Sequence, residues 1–514
     1  MTPLSTVAAS ASASASTSTP VDLMHHLSTE ARLRKPNPMK AIWKLTQRKP
    51  NMVSLANGDP HYSLYPIRNI HYEMASVAEE DPVASWRAGP SAPSQTLTSS
   101  VHEPRALPLQ AGMQYTAGAG LPLAQRVVTD LTNFYHAPAD HLCTLTLGNS
   151  DGITKCFRLL GEPGDTFLAD EFTFSSVTNV PLAQGIKWVG VKMDDGGMIP
   201  SELERVLAAW DPARGRRPHV IYLVPCGQNP TGSTLSLARR QAIYALAQRF
   251  DLIIIEDDPY YFLQYDSPDC ATTAPSTPFA RSFLSLDTDG RVVRVDSFSK
   301  IMAPGMRLGW VTSSAAFHDA LVAYTDSSTM HPHGFGQMLI AEMLAPGAGA
   351  TGGWQLAGFD RWVRSLRAEY HRRRAHFLSL FAREVAPSAL ASASCPEAGM
   401  FVWVRVHVER HPRLRADVRV RGGEGAAKGP RTNVRELMEE LFERCLDGGL
   451  VIMPASIFAL AADPKWDDVE DPVEDRVNYL RATFAGTEEA MEEGLTILGQ
   501  VLREFFAEEP KAVV

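Results

Sequence analysis

Between residues 112 and 345 short apolar runs alternate with longer runs of helical spacing, and this alternation constrains the fold more than any other feature of the chain. Apolar runs that predict strands lie at 144–147, 220–224, 252–255 and 292–295. The stretch 237–250, between two of these runs, predicts a helix. Strands that alternate with helices are typical of an α/β fold, so we expect a mostly parallel central sheet flanked by helices.

The C-terminal part has a different pattern. Helices are predicted at 358–385, 434–445 and 491–502, and loops and strands lie between them. A strand is predicted at 400–406. These elements predict a second, smaller α+β domain.

Four segments are therefore expected along the 514 residues. They are a Ser/Ala/Thr-rich tail at 1–24, an N-terminal arm with a small-domain segment at 25–110, a large domain at 111–355 and a C-terminal small domain at 356–514. The tail has too few apolar residues to offset the entropy of ordering, so we expect it to be disordered. Stretches rich in Pro, Ser and Gly predict surface excursions at 84–110, 266–282 and 411–432.

Composition excludes several classes of function. The formal net charge of −9 argues against a broad nucleic-acid-binding face, and no apolar run approaches the roughly 18 residues of a membrane span.

The cysteines lack any CxxC pair, so we expect free thiols, no metal centre and a cytoplasmic location. The alternative location is mitochondrial, because the tail is Ser-rich and poor in acids. No arginine precedes Arg32, which disfavours a transit peptide.

Four loops that follow predicted strands carry the informative residues: GNSDG (148–152), QNPTG (228–232), EDDPYY (256–261) and DSFSK (296–300), the last with Arg307 close behind. Each alone has a plain structural interpretation as a turn, a capping acid or a solvated lysine. Ligands of open α/β sheets bind at the carboxyl ends of the strands, so the shared position of the four loops predicts one site.

In order and spacing these loops resemble those of pyridoxal 5′-phosphate enzymes of fold type I, the aspartate aminotransferase fold. The resemblance is strongest to fungal aromatic-amino-acid and 2-aminoadipate aminotransferases and to animal kynurenine/2-aminoadipate aminotransferases. It extends from about residue 28 to 506. Its motifs are SLANGDP (54–60), QYTAGAGLP (114–122), NPTG (229–232), EDDPYYFLQY (256–265), DSFSKIMAPGMRLGW (296–310), EAGMFVW (397–403) and YLRATF (479–484).

The resemblance implies a role for each motif residue. Lys300 would form the Schiff base with the cofactor aldehyde and serve as the acid–base group. Asp257 would pair with the pyridine nitrogen, while Asn229 and Tyr260 would donate hydrogen bonds to the 3-oxygen of the ring. Phe174 would stack on the ring. The phosphate would be bound by Asn149, Ser150, Ser297, Ser299 and Arg307.

The resemblance also implies how substrate is held. Arg481 would clamp the α-carboxylate through its fork, and Asn229 and Gly58 would lie on the same side. Tyr115 would reach the phosphate bound in a second subunit, which implies a homodimer with shared sites. A plain core tyrosine is the alternative for Tyr115.

Three departures from the family pattern stand out. Phe174 replaces a frequent tyrosine and so lacks a hydroxyl. Asn57 precedes Gly58 where many relatives have a second glycine, and residues 454–458 (PASIF) stand where many have a Pro-Gly turn. The first bears on cofactor affinity, and the other two bear on the substrate pocket.

The resemblance thus implies an aminotransferase that passes the amino group of an aromatic amino acid, or of 2-aminoadipate or kynurenine, to a 2-oxo acid such as 2-oxoglutarate. A β-lyase, decarboxylase or synthase on the same scaffold is the first alternative. A ligand-sensing transcription regulator is the second, and the low-complexity segment before the fold lacks the basic residues of a DNA-binding domain.

Overall fold

The computed structural model describes residues 21–40, 42, 55–56, 58–102, 106–265, 279–346, 353–416, 431–461 and 472–507. The α-helices there are α1 (Thr29–Leu33), α2 (Pro82–Arg87), α3 (Leu109–Met113), α4 (Pro122–His136), α5 (Asn149–Leu160), α6 (Ser175–Ala183), α7 (Pro200–Ala208), α8 (Leu237–Phe250), α9 (Ala315–Asp326), α10 (Gly334–Leu344), α11 (Gln355–Glu384), α12 (Val434–Asp447) and α13 (Glu488–Phe506). In this part of the chain no helix has the length and apolar character needed to cross a membrane.

The strands of the described residues are β1 (Asn69–Ala75), β2 (Ser94–Ser100), β3 (Leu142–Thr146), β4 (Thr166–Asp170), β5 (Lys187–Val191), β6 (Met193–Asp194), β7 (Gly197–Met198), β8 (Val220–Leu223), β9 (Ile253–Asp257), β10 (Val292–Ser297), β11 (Gly309–Ser313), β12 (Ala391–Ala393), β13 (Phe401–Val406), β14 (Met453–Pro454) and β15 (Tyr479–Thr483). Seven of them form one sheet in the order β3-β11-β10-β9-β8-β4-β5. All pairs are parallel except those of β11, which runs antiparallel to both neighbours. The predicted α/β class with a mostly parallel sheet is confirmed.

Helices cover both faces of this sheet because alternate residues of each strand point to opposite sides. Tyr222 and Ile255 lie in the same buried cluster as Phe157 of α5. Ile221 and Ile254 lie in another cluster, together with side chains of α7 and α8. Burial on both faces explains why the strands are continuous apolar runs in the sequence.

Local sequence determines several element boundaries. Pro122 occupies the first turn of α4, and the Ser236 side chain accepts a hydrogen bond from the Arg239 N–H to start α8 at the predicted residue. The strand predicted at 252–255 is Ile253–Asp257 in the structure, so β9 also contains Glu256 and Asp257. Both carboxylates are therefore buried in the sheet.

The second sheet is antiparallel, with the order β12-β13-β15-β14. It is packed by α11, α12 and α13, whose buried residues include Leu441 and Leu498. All its strands lie within 356–514, and all strands of the seven-stranded sheet lie within 111–355. The division of the chain into domains at those bounds stays a prediction.

The segment 84–110, expected to be a surface excursion, has regular secondary structure, and its position as an excursion stays a prediction. The segment contains most of α2 and all of β2, and β2 pairs with β1 along its full length. Leu97 of β2 is 1% exposed because it packs into the core that includes α10. Residues 266–278 and 417–430, most of the other two excursions, lie outside the described residues, as do residues 1–20 of the tail predicted at 1–24.

Candidate active site

The carboxyl ends of β8, β9 and β10 meet the N-terminus of α5 at a cavity of about 340 Å³. Phe401 and Arg481 come from the second sheet and complete its wall. The side chains that line the cavity belong to Asn149, Ser150, Ile153, Phe174, Val224, Asn229, Asp257, Pro259, Tyr260, Ser297, Ser299, Lys300, Pro304, Arg307, Phe401 and Arg481. Four loops that are far apart in the sequence thus form one site.

Asp257 ends β9 and is 3% exposed. Its Oδ2 accepts a 2.6 Å hydrogen bond from the Tyr222 hydroxyl, and its Oδ1 accepts a 2.5 Å bond from Asn149 Nδ2. Burial raises the pKa of Asp257 to about 6, although both hydrogen bonds act in the opposite direction. A buried carboxylate held by two donors is suited to pair with a cationic group of a ligand.

One side of the cavity is built to hold an anion. The first-turn N–H groups of α5 have no partner within the helix, and α5 begins directly after Gly148. Gly148 has a φ of +92°, and a Cβ there would lie 2.7 Å from Arg307 Nη2. A side chain at 148 would therefore displace the Arg307 guanidinium from the loop, and the positive φ also favours glycine there.

Hydrogen bonds fix the other groups on this side. Arg307 donates to the carbonyls of Leu147 and Pro304 at 2.9 and 3.0 Å. Ser297 Oγ donates to Ser299 Oγ at 2.8 Å and accepts from the Ser299 N–H at 2.9 Å. Hydroxyls, backbone N–H groups and a guanidinium together form a donor set that suits a phosphate.

Lys300 follows β10 and is half-buried at the cavity wall. Burial lowers the pKa of its ammonium, and the positive charges of Arg481 and Arg307 lower it further. A larger fraction of this lysine is therefore the neutral amine than is usual at neutral pH. Such an amine can act as a nucleophile and can accept a proton.

Arg481 lies in β15, and its Nη1 donates a 2.7 Å hydrogen bond to Asn229 Oδ1. Its guanidinium carbon is 4.4 Å from the ring centroid of Phe401 and 4.9 Å from that of Phe458. Burial lowers the pKa of this arginine. The two rings hold the guanidinium plane in one orientation, as a fork that binds a carboxylate requires.

Tyr260 and Phe174 supply aromatic surface. The Tyr260 ring meets Phe401 edge-to-face at 5.8 Å, and burial, followed by the nearby charge of Asp257, raises the pKa of its hydroxyl. Phe174 precedes α6 and is partly buried. Both rings line the cavity.

Two residues with roles expected from the resemblance are not among those lining the cavity. Gly58 is exposed, and a Cβ added to it would meet no described atom within 4 Å. Its neighbour Asn57 lies outside the described residues. Tyr115 is 57% exposed, and its ring contacts His331 at 6.0 Å. The expected roles of Gly58 and Tyr115 stay predictions, as do the individual roles of the residues that line the cavity.

Sequence reasoning missed Tyr222, the closest hydroxyl partner of Asp257. One signal was available, because a tyrosine within the apolar run 220–224 needs a partner for its buried hydroxyl. It placed Phe458 at the substrate pocket, within residues 454–458, but did not predict its contact with Arg481, which is 23 residues away in the sequence.

Comparisons with known proteins agree with this geometry. The family model "Aminotransferase class I and II" matches residues 102–498. The chain is 50% identical to the L-tyrosine:2-oxoglutarate aminotransferase atrD of Tapinella panuoides, over 95% of this chain and 96% of that protein. It is 48% identical to amt1 of Serpula lacrymans var. lacrymans, which has the same description, over 95% and 96%. Among solved structures, aminotransferase Aro8 of Candida albicans is similar, with a TM-score of 0.79, 28% identity and coverage of 95% of this chain and 99% of that one.

Proposed function

This chain belongs to the class I and II aminotransferases and is a pyridoxal-phosphate-dependent transaminase. We propose that it transfers the amino group of L-tyrosine to 2-oxoglutarate. The similarity to two enzymes described as L-tyrosine:2-oxoglutarate aminotransferases, over nearly their full length, is the observation that carries the proposal.

The residues of the cavity fit pyridoxal 5′-phosphate. The cradle between Gly148 and Arg307, with the hydroxyls of Ser297 and Ser299 beside it, matches the phosphate. Asn149 Oδ1 is buried and has no hydrogen-bond partner among the described residues, so it remains able to accept one from a ligand. We assign the phosphate to the backbone N–H of Asn149 at the start of α5 and to Ser150, Ser297, Ser299 and Arg307, and the ring to Asp257, Asn229, Tyr260 and Phe174.

When bound, the cofactor carries the amino group between the two half-reactions and takes up the electrons of the Cα–H bond that is broken. Lys300 is the proton carrier in this proposal. Its Nζ removes the proton from Cα of the donor and, in the second half-reaction, returns one to Cα of the acceptor. The lowered pKa of Lys300 supports this role because the neutral amine is the form that accepts a proton.

Substrate orientation is assigned to Arg481. Its guanidinium, held by Asn229 and two aromatic rings, would bind the α-carboxylate that every amino-acid donor and 2-oxo-acid acceptor shares. The apolar side chains of Phe174, Val224 and Phe401 line the same cavity and give an aromatic side chain a surface to contact.

Replacing Arg481 by lysine is expected to lower kcat/KM for tyrosine about 10- to 100-fold, mainly through KM. A point charge cannot make the paired hydrogen bonds of the guanidinium fork, and a charge-assisted bond contributes about 1.5–3 kcal/mol. Steady-state kinetics with tyrosine and with 2-oxoglutarate checks this result. Cofactor affinity serves as the control and should not change. An unaltered KM for both substrates would contradict the assignment.

Replacing Tyr222 by phenylalanine is expected to change the pH dependence of cofactor binding. The lost hydrogen bond stabilises the carboxylate, so the pKa of Asp257 should rise above its value of about 6, by about one unit. A neutral acid cannot pair with a cationic ring nitrogen. The affinity of the cofactor-free protein for pyridoxal phosphate should then begin to fall at a higher pH than in the native protein. Titrations by fluorescence quenching between pH 5 and 8 would measure it, and coincident pH profiles would reject this role for Tyr222.

The proposed reaction is tested with the purified enzyme, tyrosine and 2-oxoglutarate. Glutamate and the 2-oxo acid of tyrosine should form in equal amounts, and phenylalanine, 2-aminoadipate and kynurenine compare donors under the same conditions. Release of ammonia or carbon dioxide without glutamate would favour a lyase or decarboxylase. A much higher kcat/KM for 2-aminoadipate than for tyrosine would contradict the choice of donor.

We also propose a homodimer in which Tyr115 contributes to the neighbouring subunit's phosphate site. The exposure of Tyr115 in the single chain supports it, since a large aromatic side chain is left without cover. Light scattering during size-exclusion chromatography tests the assembly. A mass near the 56.3 kDa of one chain would contradict it.

A cytosolic location is proposed on the basis of the cysteines. Those described are free thiols, and Cys143, Cys156, Cys226 and Cys445 are buried. Thiols without disulfides are typical of a reducing compartment. Cell fractionation with immunodetection tests this, and recovery in mitochondria would support the alternative.

A further inference from the structure

A second group of polar side chains lies at the opposite edge of the seven-stranded sheet. His26 Nε2 is 3.1 Å from Asp251 Oδ1, and His25 Nε2 is 2.7 Å from Asp251 Oδ2. Asp251 follows α8 and comes just before β9, at the amino end of that strand. The active-site cavity is at the carboxyl ends, so the two groups are separate.

A line of hydrogen-bonding contacts continues inward from this group. His26 Nδ1 lies 3.0 Å from His219 Nδ1, and His219 Nε2 lies 3.3 Å from Asp165 Oδ2. His26 is 1% exposed and His219 is 4% exposed. Both imidazoles are therefore enclosed by the protein, and their ring nitrogens face each other and the two carboxylates.

The arrangement of these contacts leaves one ring nitrogen placed to bind a metal. If His219 donates to Asp165, its Nδ1 accepts from the Nδ1–H of His26. In that tautomer of His26 the lone pair of Nε2 faces the carboxylate of Asp251, and a cation between them would bind both.

We propose that His25, His26 and Asp251 bind a divalent transition-metal ion such as Zn²⁺. Their ligand atoms lie within 4.8 Å of one another, and two imidazoles with a carboxylate are a ligand set that zinc accepts, with water completing a tetrahedron. His25 and Asp251 have side chains about half exposed, so the metal can enter from solvent.

The inner pair of residues forms the support that a metal-bound histidine usually has. In the tautomers in which His26 donates Nδ1–H to His219 and His219 donates to Asp165, a metal at His26 Nε2 satisfies every contact of the line. The metal would also attach the segment before α1 to the end of α8. This proposal does not depend on the proposed reaction.

One charge opposes the metal. Arg291 Nη1 is 3.5 Å from Asp251 Oδ1, and this cation weakens purely electrostatic binding. We therefore expect selectivity for ions that form strong bonds to imidazole, with Zn²⁺ bound and Mg²⁺ not bound.

The test uses tag-free holoenzyme, freed of metal with a chelator, dialysed against ZnCl₂ and analysed for metal content. One tightly bound Zn²⁺ per chain is expected, together with a rise in the thermal midpoint. Asp251→Asn should weaken binding at least about 100-fold, beyond the 10- to 100-fold typical of losing an outer partner. Asparagine tolerates the left-handed backbone found at position 251, where φ is +56°, so the helix end should be kept.

His71→Ala, at an exposed histidine on β1, is the matched control and should bind zinc as the native protein does. His219→Phe should weaken binding 10- to 100-fold through loss of the supporting acceptor. Absence of a saturable zinc site in the native protein would overturn the proposal. Equal zinc binding by native and Asp251→Asn proteins would also overturn it, because the metal would then lie elsewhere.

Discussion

Replacing Lys300 by alanine is expected to lower the rate of transamination about 10⁴-fold, the upper end of what a positioned acid–base group contributes. The side chain is half-buried at the cavity wall, and burial together with two arginines favours its neutral amine. None of the other residues that line the cavity is a lysine. No other amine in the described site can therefore take over the proton transfer.

Two measurements check the result for Lys300. The first is the rate of glutamate formation from tyrosine and 2-oxoglutarate. The second is borohydride reduction of the holoenzyme followed by peptide mapping, which should place the cofactor mass on the peptide with Lys300 in the native protein only. Lys187→Ala, at an exposed lysine of β5, is the control and should behave as the native enzyme. A labelled peptide elsewhere, or an active Lys300→Ala variant, would reject the assignment.

Replacing Asp257 by asparagine is expected to lower kcat roughly 10²- to 10³-fold while the cofactor still binds. Asparagine has nearly the same shape and can still accept a hydrogen bond from Tyr222, but it cannot form an ion pair. Breaking a buried ion pair costs about 3–5 kcal/mol, and each 1.4 kcal/mol is tenfold in rate.

Single-turnover kinetics with saturating cofactor measures this loss separately from binding. Asp319→Asn, at an exposed acid of α9, controls for an unspecific effect of removing a carboxylate. A kcat within a few-fold of the native value would show that Asp257 does not pair with a charge during the reaction.

The fold class was predictable because its signals are local. The residues of one strand or helix are adjacent in sequence, so apolar runs and helical spacing record them directly, as for α8 at Leu237–Phe250. β2 was not predicted as a strand, for the opposite reason. Its composition is that of a loop, and its strand conformation depends on pairing with β1.

The loops of the site were also predictable, since each follows a strand and parallel strands place their carboxyl ends at one edge. Their family motifs then supplied a role for each residue. The hydrogen bonds between side chains of the site were not predictable in the same way. Asp257 and Tyr222 are on neighbouring strands and 35 residues apart, and Arg481 meets Asn229 across 252 residues.

The sequence by itself therefore determined the α/β architecture, the family and the residues proposed to carry the chemistry. Only the tertiary structure decided that Tyr222 supports Asp257, that two phenylalanines orient Arg481, and that His25 and His26 meet Asp251 at the far edge of the sheet. The physical reason is that backbone periodicity is written in neighbouring residues. Burial, hydrogen-bond partners and pKa values depend on side chains that meet only after the strands and helices have packed.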